Sequence, residues 1–360
     1  MRYYLIAGEA SGDLHGSLLM QKLAGRDPQA QFRFFGGDKM AAAGGAKAFD
    51  YRDTAVMGVV EVLSHTGRLR RRMAACKADI LSYAPDSLIL IDYPGFNLRM
   101  ARFAHKHGIK VIYYIAPKVW ASRERRVEQL RKYVDRLVVI FPFEVEWFRK
   151  RGIEPVYEGN PLLGHIDSVL AKAPSREEFL MKNGLDSKPL IALLPGSRVQ
   201  EIKYLAPKFR KAAADSRLAG FQFAVAAAPG IDPEVYERFF PGIPVVHNQT
   251  YELLKHSAAA AVASGTASLE AVIIGTPQVV CYGTNPLTYL IARAIMKVKY
   301  VSLVNLTLGR PAVKELLQDA CTPEAISAEL LHLTADTTCR SAIEAEYACV
   351  RHSLCPARSA

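Results

Sequence analysis

Two α/β domains, each a doubly wound parallel sheet of the Rossmann kind, are what this sequence predicts, on three observations. Short apolar runs alternate with stretches of helical periodicity; the alternation halts at a charged, turn-rich stretch near 171–188 and then restarts; and the runs end in Gly, Pro, Asp or Ser. A chain of 360 residues suits two such domains, since a domain typically takes about 100–200 residues. The expected divisions are 1–170, 171–335 and a helical tail, 336–360, packing back on the first domain.

Taken in order, Tyr3-Tyr4-Leu5-Ile6-Ala7 reads as a buried strand running into Gly8-Glu9-Ala10-Ser11-Gly12-Asp13, with a helix behind it. Strands of the same kind are expected at 32–35, 87–91, 110–115 and 136–140, and, after the linker, at 190–194, 221–226, 245–246, 258–262 and 278–282. In such sheets ligands bind at the carboxyl ends of the strands, so the turns that follow the apolar runs are where chemistry is to be sought.

Composition narrows the classes. Half the residues are hydrophobic and 22% charged, which excludes disorder and low complexity. Lys and Arg exceed Asp and Glu by eleven (46 against 35), a balance that favours nucleic acid, anionic lipid or phosphorylated substrates. The apolar run at the N-terminus is too short for a signal peptide, and no stretch approaches the roughly 18 apolar residues of a membrane span, so a cytosolic chain is expected. The six cysteines show no C-x-x-C spacing and the histidines no ligand spacing, so free thiols and no metal are expected.

Four turns carry the candidate chemistry. In Leu193-Leu194-Pro195-Gly196-Ser197-Arg198, Gly196 lets the backbone approach a ligand, while Ser197 and Arg198 offer donors that suit phosphate oxygens. In Ser264-Gly265-Thr266-Ala267-Ser268-Leu269-Glu270, small residues at a helix start expose N–H groups to an anion, and Glu270 is placed for a ribose diol. The two turns read as halves of one phosphate clamp across a nucleotide. Asp92, at the mouth of the 87–91 strand, is a candidate general base, since partial burial would move its pKa toward working pH; a helix-capping role is the alternative. Glu9 and Asp13 are the rival carboxylates, again with capping as the alternative.

A fifth stretch joins apolar Val56, Met57, Val59, Val60, Val62 and Leu63 to the basic Arg68, Arg70, Arg71 and Arg72. It suits a segment resting on anionic lipid, or else a core helix with a solvated arginine face. Lys118, Arg123, Arg125 and Arg126 add further positive charge, and Trp120 an amphipathic ring.

Together, Gly8 to Asp13, Val56-Met57-Gly58, Ile91-Asp92 with Phe96-Asn97, Val119-Trp120-Ala121, Phe141-Pro142-Phe143-Glu144, Pro195-Gly196-Ser197-Arg198, Ser264-Gly265-Thr266 with Glu270, and Tyr300 to Leu306 resemble the lipid-A-disaccharide synthase family over nearly the whole chain. The resemblance implies a GT-B fold, two Rossmann-like parallel-sheet domains facing a cleft, acceptor in the first and UDP-sugar in the second. It implies an inverting transfer from UDP-2,3-diacylglucosamine to 2,3-diacylglucosamine 1-phosphate (lipid X), giving the β(1→6) disaccharide 1-phosphate and UDP, without cofactor or metal.

On that reading Asp92 is the base, with Glu9 and Asp13 as alternatives. Arg198 and the N–H groups of Ser264, Gly265, Thr266 and Ala267 stabilise the departing diphosphate, Gly196 and Ser197 approach it, Glu270 binds ribose, and Asn305 and Asn97 contact substrate. The 56–63 segment would meet the cytoplasmic face of the inner membrane; the oligomeric state is open, with a homodimer as the candidate. Many family members carry a second acidic residue where this chain has Gly95, which leaves Asp92 as the carboxylate of its motif. The rival readings are a UDP-sugar 2-epimerase acting on soluble substrate and a nucleic-acid-binding protein; the second lacks aromatic-basic interleaving.

Overall fold

The computed structural model of the chain describes residues 1–54, 62–284, 299–335 and 337–356. They form two units, Met1–Pro161 with Pro356, and Leu162–Cys355. Each is built on one fully parallel sheet.

The first sheet comprises β1 (Arg2–Ala7), β2 (Gln31–Gly36), β3 (Ala46–Asp50), β4 (Ser87–Ile91), β5 (Lys110–Tyr114), β6 (Arg136–Val139) and β7 (Val156–Tyr157), in the order β3-β2-β1-β4-β5-β6-β7. The chain winds outward from β1 and then, from β4, outward the other way. At that reversal β1 and β4 lie side by side, Ala7 opposite Ile91. Both strands are buried apart from Arg2, with Tyr4, Ile6, Leu88 and Leu90 turned into one core layer. The helix Val62–Tyr83 covers that layer with Leu69, Met73, Cys76 and Ile80, spaced four, three and four residues apart as an amphipathic helix requires.

The second sheet comprises β8 (Leu190–Leu194), β9 (Gln222–Ala227), β10 (Val245–His247), β11 (Ser257–Ala263), β12 (Gln278–Tyr282) and β13 (Lys314–Leu317), in the order β10-β9-β8-β11-β12-β13. Here the reversal falls between β8 and β11, where Leu194 lies opposite Val262. Alternate residues feed two cores: Ile191, Leu193, Ala259 and Ala261 meet Ile202, Leu205 and Phe209 of the helix Val199–Ala213. Leu190, Ala192, Ala260 and Val262 meet Phe179, Leu253 and Leu254 on the other face. Two buried faces are what all-parallel sheets demand, and they explain why these strands read as unbroken apolar runs.

Two expectations need correction. The division falls after Pro161, not after 170, because the helix Leu162–Leu170 packs on the helices Thr250–Lys255 and Thr266–Ile274 of the second unit. The tail helix Thr337–Leu354 also packs within the second unit, against the helices Thr266–Ile274, Leu303–Leu308 and Pro323–Ala335. Its buried face is Tyr347, Val350 and Leu354, and Arg351 pairs with Asp167 at 3.0 Å and donates to the Ile273 carbonyl.

Candidate active site

In the first unit the candidate carboxylates issue from the two strands at the reversal. Asp92 follows β4 and is half-buried, with φ at 44°; Tyr93 at 48° and Ile115, beyond the neighbouring β5, at 66° share the left-handed region. Such conformations cost side chains with a Cβ about 1–3 kcal/mol each and persist only where their surroundings impose them. Here the surroundings do. The Asp92 N–H donates to the Ile115 carbonyl at 3.2 Å, and the Asp92 carbonyl accepts from Asn97 Nδ2 at 2.8 Å and from the Tyr113 hydroxyl at 2.7 Å. The Tyr93 ring lies against Gly8, where any Cβ would run into it. Burial pushes the Asp92 carboxyl above its ordinary value; Lys118 opposes that shift and Glu9 adds to it. Lys118 and Glu9 are thus the charges that act on Asp92.

Glu9 is exposed at the N-cap of the helix Ala10–Arg26. Asp13 is 3% exposed, and its carboxylate accepts the backbone N–H groups of Gly37 (2.7 Å), Lys39 (3.0 Å) and Met40 (3.1 Å), closing the start of the helix Asp38–Ala42. Asp13 is therefore bonded as a cap, for a helix other than its own. Asn97 is fully buried, and its Nδ2 is spent on the Ile91 and Asp92 carbonyls. It braces the Asp92 turn from the interior, while its Oδ1 is buried without a hydrogen-bond partner.

Glu144, which no sequence argument singled out beyond its motif, ties two loops together. Its oxygens accept from Trp120 Nε1 at 2.9 Å and from the N–H groups of Ile140 and Phe141 at 3.2 and 3.1 Å. Burial pushes its carboxyl up to about 7 against those donors. Trp120 is consequently buried rather than offered to a membrane.

In the second unit the two halves of the expected clamp leave adjacent strands, β8 and β11, at their carboxyl ends. Gly196 has φ at 117°, and a Cβ there would meet Glu201, so this turn needs glycine twice over. Glu201 accepts the Ser197 N–H at 3.0 Å and lies 3.9 Å from the exposed Arg198. It was not foreseen, although a Glu three residues past the helix N-cap was a legible signal. The helix Thr266–Ile274 starts at Gly265, whose side of the cap makes no side-chain hydrogen bond. Ser264 Oγ donates to the Val301 carbonyl at 3.3 Å, so the 300–306 turn sits beside the Ser264 turn. Glu270 accepts from the Tyr251 hydroxyl at 3.2 Å.

Asn305 is 1% exposed with its side chain fully used. Nδ2 donates to the Val313 carbonyl and Glu315 Oε1 at 2.9 and 2.8 Å, and Oδ1 accepts from Ala312 and Val313 N–H at 2.8 and 2.9 Å. Glu315 in turn accepts the Val301 and Ser302 N–H groups. Asn305 thus holds the turn with all four of its side-chain hydrogen bonds. Among the described residues, no three His, Cys, Asp or Glu side chains gather as a metal site.

A model of the lipid-A-disaccharide synthetase family matches residues 3–354. A lipid-A-disaccharide synthase of Geobacter metallireducens is 38% identical over 98% of this chain and 93% of its own length. The chain belongs to the lipid-A-disaccharide synthetase family. It is a glycosyltransferase of lipid A biosynthesis, and its two parallel-sheet units are those of the GT-B fold. Solved structures agree on the fold at low identity: a UDP-GlcNAc 2-epimerase of Methanocaldococcus jannaschii in complex with UDP-GlcNAc and UDP (TM-score 0.63, 12% identity, 98% of this chain and 100% of that one) and the calicheamicin glycosyltransferase CalG4 (TM-score 0.57, 16%, 100% and 96%).

Of the expected lipid-facing residues, Val56, Met57, Val59 and Val60 lie outside the described residues, as do the side chains of Val62, Leu63 and Arg68. Arg70 and Arg71 are exposed on the helix Val62–Tyr83. Arg72 is not part of a free basic face: it donates to the Asp50 carbonyl at 2.8 Å and pairs with Asp53 at 3.0 Å. No helix among the described residues is long and apolar enough to cross a membrane.

Two outcomes are expected of the protein. Asn305→Ala strands the Ala312 and Val313 N–H groups and should lower the second unit's stability by about 2–4 kcal/mol in urea unfolding; unchanged stability with lost activity would return Asn305 to the substrate. Because Lys118 favours the ionised Asp92, the Asp92 carboxyl, followed by NMR titration, should take up its proton at higher pH in Lys118→Met than in the wild type. An unmoved titration would separate the two groups.

Proposed function

We propose that the chain joins UDP-2,3-diacylglucosamine to 2,3-diacylglucosamine 1-phosphate, forming the β(1→6) disaccharide 1-phosphate and UDP. The observation that carries this reading is the shared placement of the candidate groups. Asp92 and Glu9 leave the strands at the reversal of the first sheet, and the Arg198 turn and the Ser264 turn leave those at the reversal of the second. These are the positions at which α/β sheets receive ligands.

The acceptor 6-hydroxyl gives its proton to Asp92, with Glu9 the neighbouring carboxylate, while its oxygen forms the new bond to C1 of the donor sugar. The bond from C1 to the diphosphate oxygen breaks, and the electron pair leaves with UDP. Arg198 and the first N–H groups of the helix Thr266–Ile274 take the growing charge, where fixed electrostatics count most. Gly196 and Ser197 bring the backbone to the diphosphate, and Glu270, half-buried beside Tyr251, accepts from the ribose diol. Arg and a helix end neutralise the diphosphate, so the reaction proceeds in a chelator. The protein works on the inner-membrane surface through the 56–63 segment and the exposed Arg70 and Arg71.

The test is product formation from the two acylated sugars in detergent. Wild type should form the disaccharide, with or without EDTA, and Asp92→Ala and Arg198→Ala should each lose roughly 100-fold or more, the scale of losing a base or a charge-stabilising group. Absence of product from the wild type would overturn the reading, and an undiminished Asp92→Ala would move the base to Glu9.

A further inference from the structure

At the carboxyl edge of the first sheet, close to Asp92, stands a group of arginines that the transfer step leaves unused. Arg99 lies on the helix Pro94–Lys106, which starts two residues after Asp92. Arg123 and Arg126 bracket the 3-10 turn Glu124–Arg126 at the end of the loop that follows β5. Arg126 then caps the helix Val127–Tyr133, which packs against the helix Pro94–Lys106. Arg126 also faces Tyr113, whose hydroxyl holds the Asp92 carbonyl at 2.7 Å.

Among the described residues none of these three guanidinium groups has a carboxylate within ion-pair distance. Glu124, the carboxylate between them in sequence, is turned away and paired with Arg151 at 2.6 Å. Arg126 is half-buried all the same, and burial together with the charges of Arg123 and Arg99 lowers its pKa, opposed by Tyr113. Two exposed guanidinium groups acting on a half-buried third, with no carboxylate to offset them, make a place suited to an anion. Arg123 adds a backbone cost of its own, with φ at 59°.

We infer that Arg99, Arg123 and Arg126 form the subsite for the phosphate monoester of the acceptor sugar. This rests on the proposed transfer reaction and extends it to what selects the acceptor. A phosphate monoester carries close to two negative charges at neutral pH and offers three acceptor oxygens, which planar guanidinium groups meet in pairs of hydrogen bonds.

The experiment compares 2,3-diacylglucosamine with and without its anomeric phosphate as acceptor, in wild type, Arg123→Gln/Arg126→Gln and Arg126→Lys. Donor KM and thermal unfolding serve as controls. Wild type should favour the phosphorylated acceptor. The double variant should raise its KM roughly 10–100-fold, the worth of one or two charge-assisted contacts, while the KM for donor and for the unphosphorylated acceptor stays put. Arg126→Lys should recover part of the preference.

A double variant that keeps the full preference overturns the subsite, as does an equal rise for both acceptors or an active wild type without preference. Binding of glucosamine 1-phosphate, followed by NMR in the same variants, reads the subsite independently of turnover. Saturable binding in wild type that is lost in the double variant supports the subsite even if no disaccharide forms, whereas equal or absent binding overturns it. Co-sedimentation with phosphatidylglycerol vesicles separates the sources of phosphate: loss of vesicle binding with the acceptor preference intact would assign the arginines to the lipid surface and sink the proposal.

Discussion

Everything chemical in this protein depends on one constraint of parallel sheets: all strands end on the same edge, and where the winding reverses, two neighbouring strands send their loops to opposite faces. In the first unit the reversal pairs Ala7 with Ile91, and the loops leaving these strands carry Glu9 and Asp92. In the second it pairs Leu194 with Val262, and the loops leaving there carry Gly196 to Arg198 and Ser264 to Ala267. Strands side by side run about 4.8 Å apart, so residues 84 positions distant in sequence in the first unit and 68 in the second emerge as close neighbours without any further device. The apolar strands, buried on both faces, fix the register that makes this placement reproducible.

Strand ends alone would be loose, and within each unit buried polar groups stiffen the loops that leave them. Asn97 and Tyr113 clamp the Asp92 carbonyl, Asp13 gathers three N–H groups of a neighbouring helix, Glu144 joins two loops, and Asn305 with Glu315 shapes the 300–306 turn. Each of these partners would be costly to leave unpaired in the interior, so each holds its loop to a narrow geometry. The left-handed Asp92, Tyr93 and Ile115 show what that holding achieves: the strand end turns sharply enough to present a carboxylate, and the strain is maintained by bonds to its own carbonyl and N–H.

The sequence was most informative where burial is two-sided. The central strands β1, β4, β5, β8 and β11 were legible as apolar runs, and the turns behind them as sites. The strands that escaped, β3, β7 and β13, are edge strands, and their sequences, AKAFD, VY and KELL, carry the charges or brevity that edges use against unwanted pairing. Site residues escaped for a different reason. Asn97, Asn305 and Asp13 stand beside candidate loops, and the residue types that reach a ligand also bond a backbone; only the direction of the side chain separates the two. Arg72 illustrates the same ambiguity on the surface, since a basic run reads identically whether its members face lipid or an Asp50 carbonyl.

Gly95 shows how fold and chemistry come apart at this site. It is exposed, its φ lies outside the left-handed region, and a Cβ there would meet nothing within 4 Å. The backbone therefore has no need of glycine, and a helix N-terminus would welcome an acid in its place. The helix Pro94–Lys106 instead has no acidic residue in its first turn. The charges that act on Asp92 are those of Lys118, which favours its ionised form, and Glu9, which opposes it. A further carboxylate at position 95 would push the Asp92 pKa up again; without it burial is the main force, helped by Glu9 and opposed by Lys118 and the Tyr93 N–H. The tuning of this carboxyl thus rests on few groups, and those groups come from three different strand ends that only the topology brings together.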